Sequence, residues 1–273
     1  MKENFIQKNI KPLVAGVFFL IIYIPTQLWM WDRWFAADSY YSHGILIPFV
    51  SAYLIWQKRT ELAKTQKARS GWGLPLILMG MLAHAFGSLM RVYFISGFSM
   101  LLVLVGLILF LYGSQVFKKI MFPVLFLAFM IPVPMVLVTS ISFKMKIFAA
   151  KIAATVLNNS GIPAVRDGSL IRMRHAQVVV DDVCSGLRSL ISLLALGSIF
   201  AYWMKSTMGR RLVLFLTAIP IAIITNVMRV VFLSYVAEIW GVEIASGVLH
   251  DVSGFLVFAL AFVLLYVMVR ILE

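Results

Sequence analysis

Long apolar runs recur along almost the whole chain, each bounded by a short polar or basic segment. A helix crossing the hydrocarbon core of a bilayer needs about 20 apolar residues, and on that criterion the pattern predicts about eight spans, at roughly 12–30, 43–57, 72–90, 92–113, 120–140, 184–203, 211–237 and 249–270. The second is the weakest. It is short, it contains Pro48, and it opens on Tyr40-Tyr41-Ser42-His43-Gly44, which reads as an interfacial turn in which His43 has a structural role. The expected architecture is an all-α polytopic membrane protein, one integral membrane domain over 1–273.

Between the fifth and sixth spans lies the one connection long enough to hold structure of its own, 141–183. Its first half, Ile141 to Leu157, interleaves Lys144, Lys146 and Lys151 with apolar residues, which suits a helix lying along the interface. Asn158-Asn159-Ser160-Gly161-Ile162-Pro163 is a turn signal. Ser169 to Arg174 and Gln177 to Val180 then read as the strands of a small β-hairpin, the first alternating and the second rich in valine. Such a hairpin would deliver the next residues, Asp181-Asp182-Val183-Cys184, to the membrane surface.

Composition sharpens this picture. With 62% hydrophobic residues, 13% charged residues and a mean hydropathy of +0.97, the chain cannot clothe a soluble surface. The first apolar run has no small-residue cleavage site after it and is followed by further spans, so it reads as a retained helix. A net charge of +13 would point to nucleic acid in a soluble protein. Here topology explains it. Lys2, Lys8 and Lys11, then Lys58, Arg59, Lys64, Lys67 and Arg69, then Lys118 and Lys119, then Lys205, Arg210 and Arg211, and finally Arg270 all fall on one side if the spans alternate, whereas the short opposite loops carry only Arg33 and Arg91. The basic side faces the cytoplasm, so both termini are expected there, 141–183 is expected outside, and no nucleic-acid partner is implied. The four His and single Cys show no close ligand spacing, so neither a metal site nor another cofactor is expected.

Polar groups inside spans are costly in lipid and face a cavity or a partner. Two sets stand out, Asn226-Val227-Met228-Arg229 in the seventh span and His250-Asp251 opening the eighth. Arg229 lies about 17 residues beyond Leu212, roughly 26 Å of helical rise, which puts it near the outer face. Cys184 opens the sixth span and His250 the eighth on that same side. The amino-terminal ends of both helices would favour a Cys184 thiolate, the reactive form. Each residue also has an ordinary reading: a lone cysteine is commonly a small core hydrophobe, and an arginine in a span commonly pairs with an acid or a carbonyl. Their meeting at one depth is what favours a site. Around it, Asp181 and Asp182 would oppose the thiolate if they face it, or else cap the sixth helix. Asn226 shares a helical face with Arg229. Asp251 adjoins His250 in sequence but not on a regular helix face. Arg188 lies one turn beyond Cys184, and Arg172 and Arg174 lie in the segment before it.

At these residues the sequence resembles the exosortase/archaeosortase family of multi-pass membrane cysteine transpeptidases. The matching segments are Cys184-Ser185-Gly186-Leu187-Arg188, Asn226-Val227-Met228-Arg229-Val230 and His250-Asp251-Val252-Ser253-Gly254, with Tyr41-Ser42-His43-Gly44 through Pro48 and Trp56, and Pro132-Val133-Pro134, earlier in the chain. Val183 departs from the small residue often found there, and the soluble domain fused to some members is absent. The resemblance implies a bacterial inner-membrane enzyme with its active site facing the periplasm. It implies secreted substrates that carry a carboxyl-terminal Pro-Glu-Pro motif, a transmembrane helix and a basic tail, in cells that make exopolysaccharide. Cys184, Arg229 and His250 would be catalytic, and Arg188, Asn226, Ser185 and Asp251 would bind substrate or support the site, with Arg188 the candidate receptor for the glutamate of the motif and Arg172 and Arg174 its competitors. The acceptor is not specified, and membrane lipids are the other expected partners. Two other classes compete: a membrane transferase acting on a lipid-linked glycan, for which Cys184 would be dispensable, and a transporter or scaffold, in which Arg229 and His250 would line a path.

Overall fold

A computed structural model describes residues 5–37, 39–181 and 185–273, and it is helical over 79% of its length. The chain divides into two compact units, 1–133 and 134–273.

The first unit begins with α1 (Phe5–Ile22) and α2 (Ile24–Phe35). They meet at a 61° bend, so the first predicted span is a broken helix. Pro25, in the first turn of α2, has no N–H with which to continue the hydrogen-bond ladder of α1. A 3₁₀ turn (Ser42–Ile45) leads into α3 (Leu46–Gln57) and the short α4 (Arg59–Ala63). Next come α5 (Gly73–Leu89) and α6 (Tyr93–Leu111), an antiparallel pair close to the predicted third and fourth spans. Their contact depends on small residues: Gly73, Gly80 and Gly87 of α5 are all buried, and a Cβ on Gly80 would come within 2.6 Å of Val103 Cγ2 and 3.1 Å of the Ser99 carbonyl. Lipid is as apolar as leucine, so close backbone approach supplies the packing that holds such helices together. Polar groups between the helices are paired, with Tyr23 Oη 2.9 Å from Ser99 Oγ and His84 Nδ1 2.7 Å from Ser96 Oγ.

The unit closes with α7 (Ser114–Phe126) and a 3₁₀ turn (Leu127–Met130). Here the two earlier family-like segments meet. The Trp34 indole donates to the Met130 carbonyl at 2.8 Å, the Val133 N–H donates to Tyr41 Oη at 3.2 Å, and His43 hydrogen-bonds the Phe129 backbone. Tyr41 and His43 therefore build a turn-to-turn contact, in keeping with the structural role expected of His43. At the other end of α3, Lys119 lies 2.9 Å from Glu61, and Lys58 donates to the Lys119 carbonyl at 2.7 Å. These are two of the loops that the charge count assigns to one side.

The second unit begins with α8 (Met135–Asn159), and here the sequence expectation needs correcting. The fifth span was expected to run through to 140 and a separate interfacial helix to follow. Instead helix stops before Pro132-Val133-Pro134 and resumes as one 25-residue helix that absorbs both pieces. Proline lacks the N–H to continue a helix and forces the residue before it out of the helical region, so the break belongs there. Nor does the second half of α8 lie apart as a surface helix. Ala149, Ala150, Ala153, Ala154 and Leu157 pack with Val227, Val230, Val231 and Tyr235.

The predicted hairpin is present with one additional strand. β1 (Val165–Asp167), β2 (Leu170–Arg172) and β3 (Gln177–Val179) form an antiparallel sheet in chain order, with Ile171 opposite Val178. The Asn158 side chain clamps the turn before it, donating to the Ala164 carbonyl at 2.7 Å and accepting from the Ala164 N–H at 2.9 Å. The sheet is anchored by fully buried Ile171 and by Glu238, which accepts from the His175 N–H at 3.0 Å. Last come α9 (Leu187–Trp203), α10 (Met208–Trp240), the short α11 (Val242–Ser246) and α12 (Val248–Leu272).

Among the described residues, α6, α10 and α12 are each long and apolar enough to cross a membrane, and the number reaches five if broken helix pairs are counted as single spans. The predicted eight includes α5 and α9, which are apolar but only 17 residues long. The outward surfaces are apolar, with Phe255 81% and Leu82 72% exposed, as lipid-facing helices are and water-facing ones are not. Gly80→Leu is expected to force α5 and α6 apart and to destabilise the detergent-solubilised protein by about 1–3 kcal/mol, measurable as a lowered thermal midpoint.

Candidate functional site

The candidate site lies in the second unit, where α9, α10 and α12 come together. α10 is 33 residues long, about 50 Å of rise, which exceeds the roughly 30 Å hydrocarbon thickness. Arg229, in its carboxyl-terminal half, is half-buried and reaches the first turn of α12. Its Nε donates to Ser253 Oγ at 3.0 Å, and its Nη2 donates both to the His250 carbonyl at 2.8 Å and to His250 Nε2 at 3.2 Å. Ser253 Oγ in turn donates to the His250 carbonyl at 2.7 Å. Guanidinium nitrogens only donate, so the imidazole nitrogen facing Arg229 carries a lone pair and the proton of the neutral ring sits on Nδ1. Nδ1 lies 3.5 Å from Asp251 Oδ1, within ion-pair range but long for a hydrogen bond. Thus Asp251, expected to face away from His250, has its carboxylate beside the imidazole, while remaining 83% exposed. The first turn of a helix leaves its side chains room to bend toward one another.

Asn226 lies one turn before Arg229 on α10. It is 3% exposed, and a Cβ on Gly186 would lie 2.6 Å from its Cγ. Gly186 is the residue before α9 and has φ +78°. Glycine is required there twice over, for the left-handed backbone and for the close approach of α10. Ser185 is completely buried, and its Oγ accepts from the Leu187 N–H at 3.3 Å. With α9 starting at Leu187, Asp181 sits too far upstream to cap it. Ser185 serves the first exposed N–H instead, which corrects the capping expectation for Asp181. Asp182 and Cys184 lie outside the described residues.

Of the remaining expected residues, Arg188 is half-buried on the first turn of α9. Arg172 pairs with Asp167 at 3.4 Å on the exposed hairpin, and Arg174 is on the connection between β2 and β3. Two contributors were not anticipated. Ser253 lies three residues after His250, a spacing that places both on one helix face and was available as a signal. The other is a cavity of about 350 Å³ between α8 and α10, whose lining includes Lys144, Phe148, Ser185 and Asn226. Its detection needed the packing of α8 on α10. Among the described residues no three His, Asp or Glu side chains are grouped to hold a metal ion.

Fold and geometry together describe an α-helical membrane protein in which Arg229 of α10 holds His250 and Ser253 of α12, while Asn226, one turn earlier on α10, lies against Gly186 at the start of α9. Residues 29–267 match the transmembrane exosortase family (Exosortase_EpsH), and the chain belongs to that family. Comparison with curated proteins and with solved structures found no match.

Two outcomes follow from the Arg229 contacts. Imidazole ¹⁵N shifts of His250 are expected to report a single tautomer protonated on Nδ1 at neutral pH, and Arg229→Met to give a tautomer mixture. Ser253→Ala, which removes one acceptor from Arg229, is expected to cost about 1 kcal/mol of stability, read from detergent unfolding.

Proposed function

We propose that this exosortase is a cysteine transpeptidase in which Cys184 is the nucleophile, His250 the acid–base group and Arg229 the group that holds the imidazole and meets the oxyanion. The observation that carries this reading is that one end of α10 reaches two partners: Arg229 bonds His250, and Asn226, one turn earlier, lies against Gly186, two residues after Cys184 in the chain. The amino-terminal ends of α9 and α12 are both directed to this region, and their partial positive charge favours a thiolate there.

In the proposed reaction the Arg229 Nη2 contact to His250 Nε2 opens, the Cys184 thiol gives its proton to the lone pair so released, and the sulfur bonds to the scissile carbonyl carbon. The peptide C–N bond then breaks as the imidazolium returns that proton to the leaving amine, which leaves a thioester. An amine, hydroxyl or water acceptor transfers its proton to Nε2, bonds to the carbonyl carbon and expels the thiolate. Asp251, beside Nδ1, orients the ring. Arg229 Nη1 makes no hydrogen bond among the described residues, so it is the donor assigned to the carbonyl oxygen as charge develops. The substrates are secreted proteins with a carboxyl-terminal Pro-Glu-Pro signal, a membrane helix and a basic tail, cut on the periplasmic side of the bacterial inner membrane.

The decisive test is intact-mass detection of an acyl adduct on purified enzyme incubated with such a substrate. A hydroxylamine-sensitive adduct is expected on wild-type protein and none on Cys184→Ala; full processing by Cys184→Ala would refute the nucleophile. Arg229→Met is expected to slow turnover about 100- to 1000-fold, the range for losing one oxyanion donor. For orientation, tags at either terminus are expected to resist protease added to intact spheroplasts, while a tag inserted at Gly168 is removed.

A further inference from the structure

We propose that the cavity between α8 and α10 binds an acidic side chain of the substrate next to the cleaved bond, and that Lys144 is the residue that selects it. The inference uses the reading above only to say which bond is near. The cavity itself is a feature of the fold: about 350 Å³, with Lys144 and Phe148 on one wall, Ile223, Asn226 and Val227 on the other, and Ser185 between them. That volume is at the small end of the range for a ligand pocket, about 300–1,000 Å³.

Lys144 and Phe148 lie one turn apart on the exposed face of α8 next to the buried alanine stripe that begins at Ala149. No carboxylate pairs with Lys144 among the described residues, where the ion pairs are Lys119 with Glu61, Arg172 with Asp167, His250 with Asp251 and Arg270 with Glu273. A lysine edging an otherwise apolar cavity, with Arg229 one turn beyond Asn226 and no carboxylate among the described residues that line it, gives that cavity a positive potential. An anionic guest is the complement.

The inner wall favours a peptide over a lipid headgroup. Ser185 and Asn226 are buried polar residues, 0% and 3% exposed, set deeper than the rim where a lysine alone would meet a phosphate. The Ser185 hydroxyl, whose oxygen accepts from the Leu187 N–H, has its proton to donate to a peptide carbonyl. Ser185 is also joined to Cys184, and an extended peptide advances about 3.4 Å per residue, so a side chain in this cavity belongs to a residue within one or two positions of the bond presented to the thiol. Arg188, the earlier candidate for this role, is not among the residues lining the cavity.

The test measures binding of synthetic sorting-motif peptides, carrying Glu, Gln or Lys at the acidic position, to Cys184→Ser protein in lipid nanodiscs, so that no chemistry intervenes. Wild-type Lys144 is expected to bind the Glu peptide about 10- to 100-fold more tightly than the Gln peptide, the range for a charge-assisted hydrogen bond. Lys144→Met should reduce that ratio to within about 2-fold, Lys144→Arg should retain most of it, and Lys144→Glu should prefer the Lys peptide. An unchanged Glu-to-Gln ratio in Lys144→Met protein that unfolds like wild type would overturn the proposal. So would loss of the ratio in Arg188→Gln instead, or a Lys144 effect that appears only as a changed dependence on anionic lipid. A charge-coupled ratio with no thioester on Cys184 would sink the nucleophile and leave this site standing; a thioester without charge coupling would do the reverse.

Discussion

A guanidinium on a 33-residue apolar helix has to be satisfied by protein, and the way Arg229 is satisfied organises this end of the molecule. Three of its bonds go to one turn of α12: the His250 carbonyl, the His250 ring and the Ser253 hydroxyl. An isolated charge at this position would be prohibitively costly in lipid, so α10 and α12 are held in one register wherever the site is intact. The same bonds fix which imidazole nitrogen carries the lone pair. One residue thereby couples helix packing to the protonation pattern that acid–base chemistry at His250 requires.

One turn earlier on α10 the contact works by proximity. Asn226 lies where any side chain at position 186 would collide with it, so the Cys-Ser-Gly motif and the Asn-Val-Met-Arg motif are two halves of a single contact. Glycine at 186 permits both the positive φ and the close approach, after which α9 can start at Leu187 with Ser185 serving its first N–H. The sheet above packs Ile171 and Val180 into the α8–α10 seam, and its last strand runs directly into the segment that carries Cys184. A three-stranded sheet of this size would be marginal alone; here helices α8 and α10 supply its core.

Much of this was legible beforehand, in proportion to how local the physics is. Apolar runs announced α6, α10 and α12 because a lipid environment demands long uninterrupted hydrophobic stretches. Valine-rich and alternating segments announced β2 and β3. Where prolines interrupt apolar runs, length alone misled: hydropathy does not register a missing N–H, so the break at Tyr23 and the restart at Met135 were read as continuous helix or misplaced. The spacing of Lys144, Lys146 and Lys151 suggested a surface helix because a sequence pattern reports which residues are polar, and the alanine stripe on the same helix, with side chains too small to weigh in a periodicity argument, is what α10 packs against.

The sequence by itself determined that the chain is a helical membrane protein of the exosortase family and that Arg229 and His250 are out of place in lipid without a partner, because both follow from the cost of polar groups in hydrocarbon and from ordered motifs. Only the tertiary structure decided who those partners are. That His250 turns Nε2 to Arg229 and Nδ1 to Asp251, that Ser253 joins them, and that Lys144 borders a cavity walled by Ser185 and Asn226 all depend on how helices far apart in the chain are packed, and hydrogen-bond geometry and cavity shape exist only once that packing does.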